Sequence, residues 1–317
     1  MNALNEMKIP RPIAPRAVLL IAFGGPECRR DVRPFLTRVT KGRVPQERLE
    51  SVACHYDMFD GKSPVREITC AQAEALQRRL ETGPAAIPVY VGMRNWHPLL
   101  IDTVKQMTRD GVRSAVGMIM SVFQSTSSWD QYQTEVSDAL TSAGIDLEVV
   151  YTPPFFDQPG FISTMARHIA DCRNRIAGPR RDDAHILFTA HSLPRSDPQA
   201  GTYEEQAAYS AAQIASRLGQ RQWRLAYQSR SGRPQDPWLE PDVTDVLRQL
   251  AREDVTDVII APIGFVCDNI EVLYDLDVEA RQAAQTEGIS LTRAASVGVD
   301  PEFIETMAGM IRKTIDT

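Results

Sequence analysis

Along this chain, short runs of apolar and β-branched residues alternate with longer stretches in which apolar positions recur every three or four residues. The short runs predict strands at 17–23, 87–93, 114–120, 147–152, 185–189, 224–228 and 257–263. Each is continuous in hydrophobicity, as strands covered by helices on both faces are. Between them, helical spacing predicts helices at 31–39, 46–56, 65–80, 98–109, 128–143, 159–175, 203–218, 243–252, 269–287 and 301–315. Steady alternation of strand and helix is the sequence form of βαβ units on parallel sheets, so the expected fold class is α/β.

Two strand–helix sets of similar size emerge, and the loop at 153–159, with Pro153, Pro154 and Pro159, falls between them. The expected organisation is an N-terminal lobe at 16–152 and a C-terminal lobe at 153–317, each a parallel sheet flanked by helices, with a cleft between. Residues 1–15 carry Pro10, Pro12 and Pro15 in place of an apolar signal core and read as a flexible lead. No fixed-period repeat relates the two sets. In open parallel sheets ligands gather beyond the carboxyl ends of the strands. Residues 23–27, 93–97, 121–128, 190–194, 229–238 and 264–271 therefore carry the functional information.

Composition narrows the classes. The 317 residues hold 35 Lys+Arg against 41 Asp+Glu, a net charge of −6 with no basic block, which argues against a nucleic-acid partner. The longest uncharged apolar stretches, 17–23 and 258–267, fall far short of the roughly 20 residues a spanning helix needs. No transmembrane segment and a cytoplasmic location are expected. Cys28, Cys54, Cys70, Cys172 and Cys267 show no CxxC pairing and read as buried free thiols. GxGxxG, GxxxxGK[ST], GxSxG and HExxH are absent, which weakens dinucleotide, triphosphate, serine-hydrolase and zincin readings.

The remaining chemistry rests on isolated polar residues. His191 stands in AHSLP at a strand end, where it is either a satisfied structural histidine or a functional one. Beyond the strand DVIIAPIGF, Asp268 is placed to cap a helix beginning at Asn269. In that helix Glu271, Asp275 and Glu279 recur every four residues, which lines three carboxylates along one face at about 6 Å intervals. They form either a solvated acidic face or a ladder of oxygen ligands leading a divalent cation toward the imidazole. A histidine and one carboxylate offer too few donors for a closed metal site. Trp96, Trp129, Tyr132 and the segments Tyr227–Ser229 and Asp236–Leu239 follow other strands, as core anchors individually or as flat apolar surface for a planar ligand together.

With these residues assembled, the sequence resembles the ferrochelatases over essentially its whole length, from VLLIAFGGPE to PEFIETMAGMI. VRPFL, GKSP, YVGMRNWHPLL, FTAHSLP, YQSRSG, DPWLEPDV and APIGFVCDNIEVLYDLD stand in family order and spacing, and the wording of the last three is most similar to the bacterial coproporphyrin III branch. The resemblance implies two Rossmann-like lobes of the chelatase type and insertion of Fe²⁺ into coproporphyrin III, with release of two protons, in heme biosynthesis. Protoporphyrin IX insertion and a non-catalytic porphyrin or heme carrier are the alternatives. It implies His191 as catalytic histidine and Glu271 as its partner acid, both on the metal, with Asp275 and Glu279 as outer metal-relay acids. Phe23, Thr40, His55, Tyr56, Ser63, Tyr132 and Trp238 match positions of porphyrin contact.

Phe23 departs from the coproporphyrin branch, which often carries a tyrosine there; a phenyl ring stacks on a macrocycle but offers iron no phenolate. Some relatives hold a [2Fe–2S] cluster. Here the SSWDQY region lacks the cysteine and none follows Cys267, so no cluster is expected, since it needs four thiolates. No tightly bound cofactor is expected, Fe²⁺ being substrate. The implied state is a monomer, in transient contact at most with other heme-synthesis enzymes.

Overall fold

A computed structural model describes residues 16–81, 87–178, 180–231, 233 and 235–316; the lead at 1–15 lies outside the described residues. Four parallel strands, β1 (Arg16–Ala22), β2 (Val89–Met93), β3 (Ser114–Ile119) and β4 (Glu148–Tyr151), form one sheet in the order β2-β1-β3-β4. Four more, β5 (His185–His191), β6 (Trp223–Gln228), β7 (Asp257–Pro262) and β8 (Ser290–Arg293), form a second parallel sheet in the order β6-β5-β7-β8. The two halves therefore repeat one topology without a readable sequence repeat.

All seven expected strands are present. The eighth, β8, is four residues long and only half-buried, so it lacks the apolar run that marks its neighbours. β5 runs two residues beyond its expected end and places His191 in the final strand position. Helices at Val65–Leu80, Val243–Arg252 and Pro301–Ile315 match expectation. Two others are corrected. The 128–143 helix opens with a π turn at Thr126–Asp130 before Gln131–Ala143. The 269–287 helix divides into a π-helix at Val272–Ala280 and an α-helix at Arg281–Thr286.

The apolar strands divide their side chains between two layers, as a two-residue period requires. Val18 and Leu20 of β1 face an inner core, while Ala17, Leu19 and Ile21 face an outer cluster with Leu100, Val104 and Val136. In the second sheet, Ile186, Phe188 and Ile259 join the same inner core, while Leu187, Val258 and Ile260 pack outward on Val246, Leu250 and Leu276. One continuous core thus joins the halves. Phe155, Phe161 and Phe303 sit in it fully buried, each contributing roughly 1.5–3 kcal/mol of burial. The last helix, Pro301–Ile315, leaves the second sheet and packs on Val65–Leu80 and Pro159–Asn174. Among the described residues no helix is long and apolar enough to cross a membrane.

Candidate active site

The site forms where the second sheet changes winding direction, between the carboxyl ends of β5 and β7. After β7 the chain must pass close to β5. Gly264 allows this, since a Cβ there would lie 3.0 Å from Ala190 Cα, and its N–H donates to the Thr189 carbonyl at 3.2 Å. The chain then turns into a helix whose first turn carries Glu271. Its cap is Asn269, not Asp268: Asn269 Oδ1 accepts from the Val272 N–H at 3.0 Å. Asp268 is instead held by Arg293 of β8 at 3.0 Å and by the Ser296 hydroxyl.

His191 and Glu271 face each other, with Nε2 and Oε1 3.6 Å apart. The other ring nitrogen donates to the Ser192 carbonyl at 2.5 Å, which leaves Nε2 as the working face toward the carboxylate. Burial favours the neutral imidazole, but the Glu271 charge outweighs it and, with Asp275 adding, raises His191 to about 9. Burial likewise raises Glu271, and the facing imidazolium overrides it, holding the carboxyl below its usual range. At neutral pH the free pair is imidazolium and carboxylate. At 3.6 Å the pair is longer than a hydrogen bond, and 30% and 40% of the two side chains remain exposed. Two phenols stay neutral nearby. Burial raises Tyr56 from the first half and Tyr203 from the second, and the Glu271 charge raises both further.

The acidic ladder is present with a different winding. Val272, Leu276, Ala280 and Ala284 are buried at a strict four-residue spacing, and Glu271, Asp275 and Glu279 repeat that spacing one residue earlier. An α-helix of about 3.6 residues per turn drifts about 40° per four-residue step and the wider π turns drift the other way, so each stripe stays on one side of the segment. Burial raises Asp275 to about 7, against the Ser229 hydroxyl that donates to it and with the charges of Glu271 and Glu279 adding. Glu279 is raised by its partial burial and by the charge of Asp242. Asp277 points elsewhere, to Arg293 Nε at 2.9 Å. Among the described residues, no three His, Cys, Asp or Glu side chains converge as a metal site.

The first half brings a largely aromatic cluster against this segment. After β1 the chain turns sharply at Gly24, whose φ of 86° suits glycine and whose Cβ would meet Trp96 N at 2.9 Å. Phe23 precedes that turn, 40% exposed, edge-on to Phe35 at 6.3 Å and beneath the Arg94 guanidinium at 5.8 Å. His55 stacks flat on Tyr274 of the π-helix, centroids 3.6 Å apart at 6°, and Ile270 packs against the cluster of Val32, Phe35, Leu36, Ala53 and Tyr56. The helices Arg29–Thr40 and Gln46–Asp57 therefore pack against the segment that carries Glu271.

The sequence-derived contact residues divide by exposure. Phe23, Thr40 and His55 are reachable, although the Thr40 hydroxyl donates to the Leu36 carbonyl at 2.8 Å. Tyr56, Ser63, Tyr132 and Trp238 are buried. Tyr132 lies 4.4 Å beneath Arg94, which Glu135 holds through two bonds of 2.8 and 2.9 Å. Trp129 is buried too. Pockets of about 340 Å³ beside Arg38, Arg94 and Asp138, and about 350 Å³ beside Ser63, Arg66 and Cys70, open elsewhere on the first half. Neither contains the His–carboxylate pair. Sequence reasoning missed Tyr203, whose position in a helical apolar stripe gave no sign of its neighbours.

A sequence model described as Ferrochelatase matches residues 15–315. The chain belongs to the ferrochelatase family. The coproporphyrin III ferrochelatase of Mycolicibacterium smegmatis is 42% identical to this ferrochelatase-family chain over 300 residues, covering 93% of the chain and 88% of that protein. Its counterpart in Mycobacterium tuberculosis is 44% identical over 300 residues, covering 93% and 85%. Among solved structures, SirB from Bacillus subtilis with Fe³⁺ superposes with a TM-score of 0.61 at 11% identity, covering 94% of this chain and 95% of that one. CbiX, described as the terminal enzyme of siroheme biosynthesis in denitrifying bacteria, gives 0.56 at 15%, covering 94% and 99%. At such identities these two show the shared two-lobed fold.

Proposed function

We propose that this ferrochelatase-family chain inserts Fe²⁺ into coproporphyrin III in heme biosynthesis, releasing two protons. The observation that carries this is the His191–Glu271 pair, 3.6 Å apart, on a segment whose neighbours Ile270 and Tyr274 meet an aromatic cluster of the first half. A free-base porphyrin resists metallation because two N–H hydrogens fill its centre and the nitrogen lone pairs lie in plane. Contacts with remote parts of the ring supply the strain that exposes them. In this reading the Phe23 side grips one face and the His191–Glu271 side attends to metal and protons at the other.

The resting charges set an order of events. His191 holds a proton, so an arriving dication must first displace it, and Asp275, with its pKa about 7, is the adjoining group able to take one at neutral pH. Glu279 is exposed at the far end, which makes the ladder a route in for cations and out for protons. Thr40, His55, Tyr56, Ser63, Tyr132 and Trp238 are read as the shell around the macrocycle, the buried ones acting from behind the residues that touch it. Residues 16–152 and 153–317 are read as the two lobes, the last helix laid back across the first. The same reading has no resident cofactor and no [2Fe–2S] cluster, and places a monomer in the cytosol.

Side-by-side kcat/KM for coproporphyrin III and protoporphyrin IX with Fe²⁺ under anaerobic conditions tests the substrate. A clear preference for coproporphyrin III is expected. A preference for protoporphyrin IX would overturn that choice, and tight porphyrin binding without turnover would make the chain a carrier.

A further inference from the structure

Gln228 is the last residue of β6 and lies in register with His191 of β5. Its side chain is 2% exposed. Nε2 donates to the main-chain carbonyl of Glu271 at 3.3 Å, while Oε1 has no partner among the described residues. Its own carbonyl accepts from the Ser192 N–H at 2.7 Å. A buried amide with an unmet acceptor costs stability, so packing alone gives no reason for glutamine here. Methionine has nearly the same length and removes the unmet acceptor, giving up only the bond to the Glu271 carbonyl.

The carbonyl that Gln228 holds sits at a structural junction. Ile270 and Glu271 form a single α turn, and the i→i+5 winding begins at Val272. Where one winding gives way to the other, the direction of each side chain depends on where the change occurs. The next residue, Ser229, has a φ of 61° and gives its hydroxyl to the Asp275 carboxylate. Two successive residues at the end of β6 are thus tied to two helix positions four apart.

We propose that Gln228 is a positioning residue for Glu271: by holding the carbonyl at the α-to-π junction, it fixes the direction in which the carboxylate meets His191. This rests on the metallation reading above. Its role is in the rate, because it touches neither macrocycle nor metal.

The test compares Gln228→Met and Gln228→Glu with the wild-type chain, alone and in a Glu271→Gln background. Gln228→Met relieves one unmet acceptor and loses one bond, so it is expected to melt within a few degrees of the wild-type chain and to bind coproporphyrin III with unchanged Kd by fluorescence. Its kcat should fall roughly tenfold, the scale of a small misplacement of a reacting group, with KM for both substrates nearly unchanged. Gln228→Glu, which has no N–H to donate and brings a second anion, should lose as much and decides the matter if the methionine variant does not fold. In the Glu271→Gln background Gln228→Met should remove less than about twofold more, because residues acting as one unit are not additive. A wild-type kcat in both variants, losses that multiply in the double variant, or a lower melting temperature with an unchanged rate per folded molecule would each overturn the proposal. Wild-type rates in Glu271→Gln itself would instead sink the metallation site, which keeps the two failures apart.

Discussion

The two halves share one strand order and differ in what they place at the carboxyl edge. β1 is followed directly by Phe23, backed by Phe35 and Trp96; β5 and β6 end in His191 and Gln228, with Glu271 soon after β7. One half places an aromatic cluster there and the other a titratable pair, so a repeated topology does not repeat the side chains at its edge. The lobes are nevertheless one body, because Pro301–Ile315 and the inner core join them. In the metallation reading proposed above, function is divided between the halves, while the core is shared.

His191→Ala and Glu271→Gln should each lower kcat for metallation by roughly tenfold to a thousandfold, as loss of a positioned acid–base or metal group does. Comparable losses from Phe23→Ala would erase the division. Phe303→Ala removes a fully buried ring from the shared core and should cost about 3–5 kcal/mol, with both halves melting in one transition; two separate transitions would show independent lobes. Neutralising Asp275 and Glu279 together should raise KM for Fe²⁺ by roughly tenfold, as loss of a focusing charge does, and leave porphyrin Kd unchanged. An unchanged metal KM would make them ordinary acids. Smallest is Phe23→Tyr, expected to hold kcat within about threefold because the wall only grips; a large gain would move metal chemistry to the first half.

Much of this was legible. Continuous apolar runs located β1 and β7 because both their faces are covered, whereas β8, a half-exposed edge strand, carried no such run. His191 and Glu271 were readable because strand ends in parallel sheets are where ligands gather. The four-residue spacing of Val272, Leu276, Ala280 and Ala284 runs from the π-helix into the α-helix after it, so it marks the buried face without distinguishing the two windings. Asp268 resembled a cap by position, yet its partner Arg293 lies on a strand that was not foreseen. Tyr203 and Gln228 depend on contacts between distant segments, which no local pattern encodes.

The His191–Glu271 pairing also fixes a pH dependence. A folded-state pKa near 9, above the unfolded value of about 6.5, means the pairing stabilises the fold fully below pH 6.5 and loses that contribution as pH rises toward 9. Glu271→Gln should flatten the decline in Tm across that window. The most direct measurement is an NMR titration of the His191 ring in the free protein. Pairing with Glu271 predicts a midpoint well above 6.5 that falls toward it in Glu271→Gln; a midpoint at or below 6.5 in the wild-type chain, unmoved by the substitution, would contradict it.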